Sequence, residues 1–113
     1  MLFDTHAHYD DSKFDIDRHK AVKKAYECGV AYIINASSNM ASVVESITLS
    51  QEFDFVYCAV GIHPHYAEDM NDNTLAALAE FASRKKVVAI GEIGLDYYYD
   101  NAPRTIQKHW FIK

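Results

Sequence analysis

The chain alternates short apolar segments, which predict β-strands, with longer segments whose apolar residues recur at helical spacing. The strand segments cover about residues 2–6, 30–35, 55–60 and 87–91, and a helix is predicted after each of them. Apolar strands that are separated by helices favour a parallel sheet with helices packed on it. The order of elements therefore predicts an α/β fold in a single domain over residues 1–113.

Residues suited to helix ends mark the predicted helices. The first helix is predicted to start near Asp15 or Asp17 and to end at Gly29. Capping side chains and an N-terminal proline precede the others: Ser37, Ser38 and Asn39, then Asn71 and Asp72, and finally Pro103. One stripe along the second helix is predicted to contain Val43, Val44, Ile47 and Gln51.

Three of the four strand segments run into residue types that bind metals. The first is followed by His6-Ala7-His8, the third by Gly61-Ile62-His63-Pro64-His65, and the fourth by a segment that contains Glu92 and Asp96. The carboxyl ends of parallel strands meet at one edge of a sheet, so these side chains are expected to lie close together. Imidazoles and carboxylates bind Zn²⁺, Mn²⁺ or Mg²⁺, and the pattern predicts a metal-centred active site.

His6 and His8 are predicted metal ligands. Side chains two residues apart on a strand point the same way, so both imidazoles can face one ion. A pair with this spacing also arises by chance in a chain with six histidines. The position of the pair at the end of the first strand favours the ligand role.

Glu92 is the third predicted ligand. Its carboxylate has two oxygens and could bridge two metal ions about 3.5–4 Å apart. The alternative is a surface ion pair, which the neighbouring Gly91 and Ile93 make less favourable. Asp96 is interpreted as a turn residue rather than as an outer hydrogen-bonding partner of the site.

His63 is the predicted substrate contact, because a histidine beside a metal site can bind phosphate or transfer a proton. The alternative is a rigid loop with two partly exposed histidines, His63 and His65. The tyrosines at 97–99 have a similar pair of interpretations, since they could line a cleft and stack on a base or pack within their own loop.

Composition narrows the class of protein. The net charge of −5 argues against a basic DNA-binding module. It leaves a nuclease open, because bound cations add local positive charge. Cys28 and Cys58 are expected to be small buried hydrophobes in a reducing compartment. We find neither a signal peptide nor an apolar run of about 20 residues, so a cytoplasmic location without membrane contact is expected.

Taken together, three segments give the chain a resemblance to the TatD family of metal-dependent deoxyribonucleases. They are Phe3-Asp4-Thr5-His6-Ala7-His8, Val60-Gly61-Ile62-His63-Pro64-His65 and Ala89-Ile90-Gly91-Glu92-Ile93-Gly94-Leu95-Asp96-Tyr97-Tyr98. They occur in the order and spacing of that family and span nearly the whole chain.

The resemblance implies a distorted TIM barrel with a divalent-metal site at the carboxyl ends of its strands. It implies that His6 and His8 are the first-strand ligands, that Glu92 is the bridging glutamate, and that His63 contacts the scissile phosphate. The implied activity is hydrolysis of phosphodiester bonds in DNA. The implied cofactors are divalent ions, with Mg²⁺ favoured and Mn²⁺ or Zn²⁺ as alternatives.

A complete eight-stranded barrel takes about 250 residues. With four strands, the chain resembles the N-terminal half of such a TIM-type barrel, about four βα units. The family carries two further histidines and an aspartate on later strands, and these have no match here, so we expect little or no nuclease activity from the 113-residue chain alone. Its open sheet edges favour self-association. The alternatives are a catalytically dead half-barrel that binds a metal or a partner, and an amidohydrolase-like esterase.

Overall fold

The computed structural model describes residues 1–113 and contains one parallel sheet of four strands in the order β1-β2-β3-β4. The strands are β1 (Leu2–Ala7), β2 (Val30–Ala36), β3 (Val56–Val60) and β4 (Val87–Ile90). The helices are α1 (Arg18–Glu27), α2 (Met40–Glu52), α3 (Asp72–Ala82) and α4 (Arg104–Ile112). The predicted α/β fold of four βα units is confirmed.

Each strand pairs with the next strand in the chain, and this order positions the site. β1 pairs with β2, β2 with β3, and β3 with β4, all in parallel. The loops after the strands therefore share one edge of the sheet. Two of these loops contain short 3-10 helices, at Ser12–Phe14 and Pro64–Asp69.

The core lies on the helix-covered face of the sheet. One cluster consists of Ala7, Val22, Ile33, Leu49 and Val56, and a second of Val43, Ile47, Cys58 and Val60. The opposite face is open: Phe3 and Tyr32, whose ring centroids lie 5.8 Å apart, are both about half exposed. Because side chains alternate along a strand, Tyr32 on the open face and buried Ile33 point in opposite directions.

The predicted stripe of α2 was partly wrong. Val43 and Ile47 are buried, but Val44 is 52% exposed and Gln51 is exposed. Ser46 and Ser50 are buried instead. Hydrogen bonding explains why these two serines can be buried. The hydroxyl of Ser50 donates to the carbonyl of Ile47 at 2.7 Å, and the hydroxyl of Ser46 bonds to the side chains of Asn35 and Ser37.

The helix ends agree in part with the predicted caps. The side chains of Asn39 and Asn71 accept hydrogen bonds from the backbone of the first turns of α2 and α3. α1 begins after Asp17, whose side chain makes no capping bond. The prediction for the cysteines was half right, since Cys58 is buried but Cys28 is exposed, and both are free thiols.

Lys86 ties the end of α2 to the start of β4. Its Nζ donates to the carbonyls of Ser50, Phe53 and Asp54 at 2.6, 2.7 and 3.1 Å. The cation therefore satisfies acceptors at the carboxyl-terminal end of α2, where positive charge is favourable. Burial lowers the pKa of Lys86.

None of the helices has the length and hydrophobicity needed to cross a membrane.

Candidate metal centre

Two imidazoles meet where β1 ends. His6 lies in the strand and His8 directly follows it, so Ala7 points to the buried face while the two histidines turn away from it. Their Nε2 atoms are 3.0 Å apart. Both side chains are partly exposed, at 54% and 41%. The pair is therefore accessible from the edge of the sheet.

The ring of His8 is oriented by the neighbouring strand. Its Nδ1 lies 2.9 Å from the carbonyl oxygen of Ala36, the last residue of β2. A carbonyl can only accept, so Nδ1 carries the proton of the ring. In the neutral ring Nε2 then presents a lone pair, which is the form that binds a metal.

Glu92 completes the group from the loop after β4. Its backbone N–H donates to the carbonyl of Ser37 at 2.8 Å, which ties this loop to the end of β2. One carboxylate oxygen lies 3.4 Å from Nε2 of His6 and the other 3.4 Å from Nε2 of His8. Ligand atoms of all three residues lie within 4.8 Å of one another. The convergence expected from the sequence is therefore present.

The spacing suits a shared cation. With metal–nitrogen distances of about 2.0–2.1 Å, two neighbouring ligands are about 2.9 Å apart in octahedral and about 3.4 Å apart in tetrahedral coordination. The 3.0 Å between the two histidines falls in this range, as does the 3.4 Å from each histidine to a different oxygen of Glu92. Two imidazoles and a carboxylate also form a donor set that divalent metals accept. The residues present therefore fit the implied ion.

A buried polar cluster supports the loop after His8. Asn35, which is fully buried, accepts from the backbone N–H of Tyr9 at 2.7 Å and donates to Asp10 and Ser46, each at 2.7 Å. The Ser46 hydroxyl also lies 3.1 Å from that of Ser37. Burial raises the pKa of Asp10. Sequence reasoning missed Asn35, although a polar residue inside an apolar strand is a signal for such a cluster.

His63 lies beside the group, and its contact with the substrate stays a prediction. Its backbone N–H donates to the carbonyl of Ser38 at 2.8 Å, and its side chain lines an open cavity of about 750 Å³ together with His6 and Glu92. Its Nδ1 accepts a hydrogen bond from the backbone N–H of His65 at 3.1 Å. Burial, followed by the nearby His65, lowers the pKa of His63, so the ring is neutral at neutral pH.

Three other carboxylates near this edge, those of Asp4, Asp10 and Asp96, make no hydrogen bond or ion pair with the side chains of His6 and His8. Asp4 accepts from the backbone N–H of His6 at 3.1 Å, and Asp10 bonds to Asn35. Asp96 accepts from the backbone of Tyr98 and Tyr99, as a turn residue does, but the interpretation as a turn residue alone is incomplete. It also bonds to Nε2 of His65, a contact that the sequence did not predict because 31 positions separate the two residues.

The fold and this group of side chains define a class: parallel α/β proteins that carry a candidate metal centre at the carboxyl ends of their strands. Comparison with known families makes the assignment specific. The model of the family described as TatD related DNase matches residues 3–113. The chain belongs to this family.

Similar proteins agree with the assignment. The chain is 40% identical over 111 residues to the uncharacterized metal-dependent hydrolase YabD of Bacillus subtilis (strain 168), covering 98% of this chain and 44% of YabD. It is 32% identical over 97 residues to the 3'-5' ssDNA/RNA exonuclease TatD of Erwinia tasmaniensis, covering 85% of this chain and 38% of that protein.

A solved structure shows the same fold. The crystal structure of YJJV, a TatD homolog from Escherichia coli K12, matches with a TM-score of 0.83 and 32% identity, over 97% of this chain and 43% of that one. The chain thus spans less than half the length of the relatives it matches. The half-barrel interpretation of the four βα units is confirmed by this match.

Proposed function

We propose that this chain supplies the metal-binding half of a nuclease that hydrolyses phosphodiester bonds in DNA. The observation that carries the proposal is the convergence of His6, His8 and Glu92 within 4.8 Å at the carboxyl edge of the sheet. Membership of the family supports the hydrolase class. The name of the Erwinia relative, an exonuclease on single-stranded DNA and RNA, supports a nucleic acid as the substrate.

His6, His8 and Glu92 would hold the cation. Nε2 of His8 is ready to bind, since its Nδ1 is engaged with the carbonyl of Ala36. Each carboxylate oxygen of Glu92 faces a different histidine, so the carboxylate lies against both imidazoles. When bound, a divalent ion supplies positive charge that offsets a phosphate and acidifies nearby water.

His63 would contact the phosphate. It lines the same cavity as His6 and Glu92, and its ring is neutral because of its lowered pKa. A neutral imidazole has one N–H, which can donate to an anionic oxygen without adding a second charge to a site that already holds a cation. Mg²⁺ is the ion that the family resemblance implies, while two imidazoles suit Zn²⁺ better, so both are included in the test.

The 113-residue chain alone is proposed to bind the cation with little or no turnover. It offers three protein ligands, and its open cavity of about 750 Å³ is bounded by the exposed face of half a barrel. Hydrolysis needs the phosphate, the water and the ions to be held in a closed and ordered site.

Calorimetry with Mg²⁺, Mn²⁺ and Zn²⁺ tests the binding step. Glu92→Gln keeps the shape of the side chain and removes its charge, so affinity for the preferred ion is expected to fall by about 10-fold or more. Glu52→Gln is the matched control, because Glu52 contacts a single histidine, His19, away from the site. Equal affinities for the wild type and Glu92→Gln would contradict the proposed metal site.

A chimera tests the reaction. The chain replaces the matching segment of the Erwinia exonuclease, with which it aligns over 97 residues, and degradation of single-stranded DNA is measured with and without chelator. Metal-dependent cleavage that Glu92→Gln abolishes is the expected result. A folded, metal-loaded chimera that leaves DNA intact but hydrolyses a carboxylic ester would favour the esterase alternative.

A further inference from the structure

A buried glutamine in α4 fixes the backbone of Asp96. The side chain of Gln107, only 2% exposed, accepts from the N–H of Asp96 at 2.8 Å and donates to its carbonyl at 3.1 Å. It also donates to the carbonyl of Ala102 at 2.7 Å. Both backbone polar groups of Asp96 are thus held by one side chain from a packed helix.

The two oxygens of the Asp96 carboxylate bond to different groups. One oxygen accepts from the backbone N–H groups of Tyr98 and Tyr99 at 2.9 and 3.1 Å. The other bonds to Nε2 of His65. An ionised carboxylate can only accept, so Nε2 of His65 carries the proton. The bonds from the two backbone N–H groups therefore orient the carboxylate towards His65.

The backbone of His65 forms a hydrogen bond with the side chain of His63. Its N–H donates to Nδ1 of His63 at 3.1 Å, and the two ring centroids are 4.2 Å apart at an interplanar angle of 73°. Nδ1 of His63 therefore presents a lone pair, and the single proton of the neutral ring lies on Nε2. His63 lines the cavity that also contains His6 and Glu92.

We propose that Asp96 is a positioning residue, which holds His65 as its Nε2–H tautomer and so fixes the loop that presents His63 as an Nε2–H donor. The ligand of that donor is an anionic oxygen of the phosphate class. This ligand class rests on the proposed function, whereas the positioning rests on the contacts alone. His63 is then a hydrogen-bond donor to the substrate rather than a base that removes a proton.

Long-range ¹H–¹⁵N NMR of the histidine rings in the 113-residue chain reads the tautomers directly. The spectra are recorded at about pH 8, above the ordinary histidine pKa of about 6.5, and both His63 and His65 are expected as Nε2–H tautomers. Asp96→Ala is expected to leave both rings as mixtures of tautomers. Asp96→Asn keeps the oxygen that accepts from the backbone but places an NH₂ group against His65, which should convert that ring to the Nδ1–H form.

Asp100→Asn is the matched control. Asp100 lies in the same loop and pairs with Arg104 instead of a histidine, so its variant should leave both rings unchanged. The backbone amide spectrum reports whether each variant is folded. A wild-type His63 in the Nδ1–H form, or a folded Asp96→Asn protein whose His65 tautomer is unchanged, would overturn the proposal.

Inorganic phosphate separates this inference from the proposed function. Its titration is expected to shift the Nε2 resonance of His63, with about fivefold weaker binding in Asp96→Ala because the donor is no longer held in place. Failure of the chain to bind any divalent ion would contradict the proposed function and leave the tautomer result standing. Normal metal binding with freely mixed tautomers in the wild type would contradict only the positioning role.

Discussion

The Nδ1 atom of His8 lies 2.9 Å from the carbonyl oxygen of Ala36, so the end of β2 orients a side chain that follows β1. This bond leaves Nε2 of His8 facing His6 at 3.0 Å. Because Nδ1 of His8 carries the proton of that ring, its Nε2 accepts at this distance, either from a proton on Nε2 of His6 or from a shared cation. The carbonyl of Ala36 thus orients the ring of His8 so that its Nε2 is directed towards the proposed ion site.

His8→Ala is expected to lower the affinity for the preferred divalent ion by about 100-fold, since it removes a ligand and not only its support. Isothermal titration calorimetry measures the change. His19→Ala is the matched control, because His19 lies on α1 and pairs with Glu52. An affinity loss of the same size in both variants would indicate nonspecific binding to histidines.

Asn35→Ala is expected to destabilise the chain by about 2–4 kcal/mol, because it removes a buried side chain and three hydrogen bonds, to the half-buried Tyr9 and Asp10 and the buried Ser46. Urea denaturation gives the free energy of unfolding. Asn73→Ala, an exposed site in α3, should change stability by less than about 0.5 kcal/mol. If Asn35→Ala were as stable as the control, the polar cluster would not be a structural element.

Lys86→Met is expected to cost about 1–3 kcal/mol of stability, because three carbonyls at the end of α2 and in the loop after it lose a charged donor. Methionine keeps most of the aliphatic part of the lysine side chain, so the loss of stability measures the contribution of the ammonium group. Thermal unfolding of Lys86→Met and of Lys85→Met, an exposed neighbour, makes the comparison. Equal melting temperatures for the two variants would contradict the capping role.

Acid should weaken the ion pair between Asp100 and Arg104. The hydrogen bond from Arg104 lowers the pKa of Asp100, so the unfolded chain binds this proton before the folded chain does. The stabilisation is present above the ordinary aspartate pKa of about 3.9 and is lost as the pH falls through the lower folded value.

Asp100→Asn should therefore flatten the fall of the melting temperature between about pH 5 and pH 2. Asparagine tolerates the positive φ of 50° at this position, so backbone strain does not obscure the result. Asp69→Asn is the control, because the Asp69 side chain makes no ion pair or hydrogen bond. A pH profile of Asp100→Asn that matches the wild type would refute the assignment.

The open sheet edges predict self-association of the 113-residue chain. β1 and β4 each have one unpaired side, and Val88 on β4 is 51% exposed. Val88→Lys should shift the chain towards monomer, because a charged residue on an edge strand disfavours pairing with another copy. Val44→Lys, at a site 52% exposed on α2, should not. Sedimentation velocity measures both, and a monomeric wild type would contradict the prediction.

The order of strands and helices was readable from the sequence, because apolar periodicity over short segments reflects local geometry. The same is true of His6, His8 and Glu92 as neighbours: each follows or ends a strand, and parallel strands bring such positions to one edge. The caps at Asn39 and Asn71 were also local, since a cap bonds to a residue three positions on.

The tertiary structure decided what depends on partners far apart in the chain. The burial of Ser46 follows from its bonds to Asn35 and Ser37, and periodicity had assigned that face to other residues. The contact between His65 and Asp96 and the tautomer of His8 likewise depend on atoms about 30 positions away. Sequence pattern records which side chains are apolar and how they repeat, but it does not record which polar groups meet, because hydrogen bonds are satisfied only once the chain has packed.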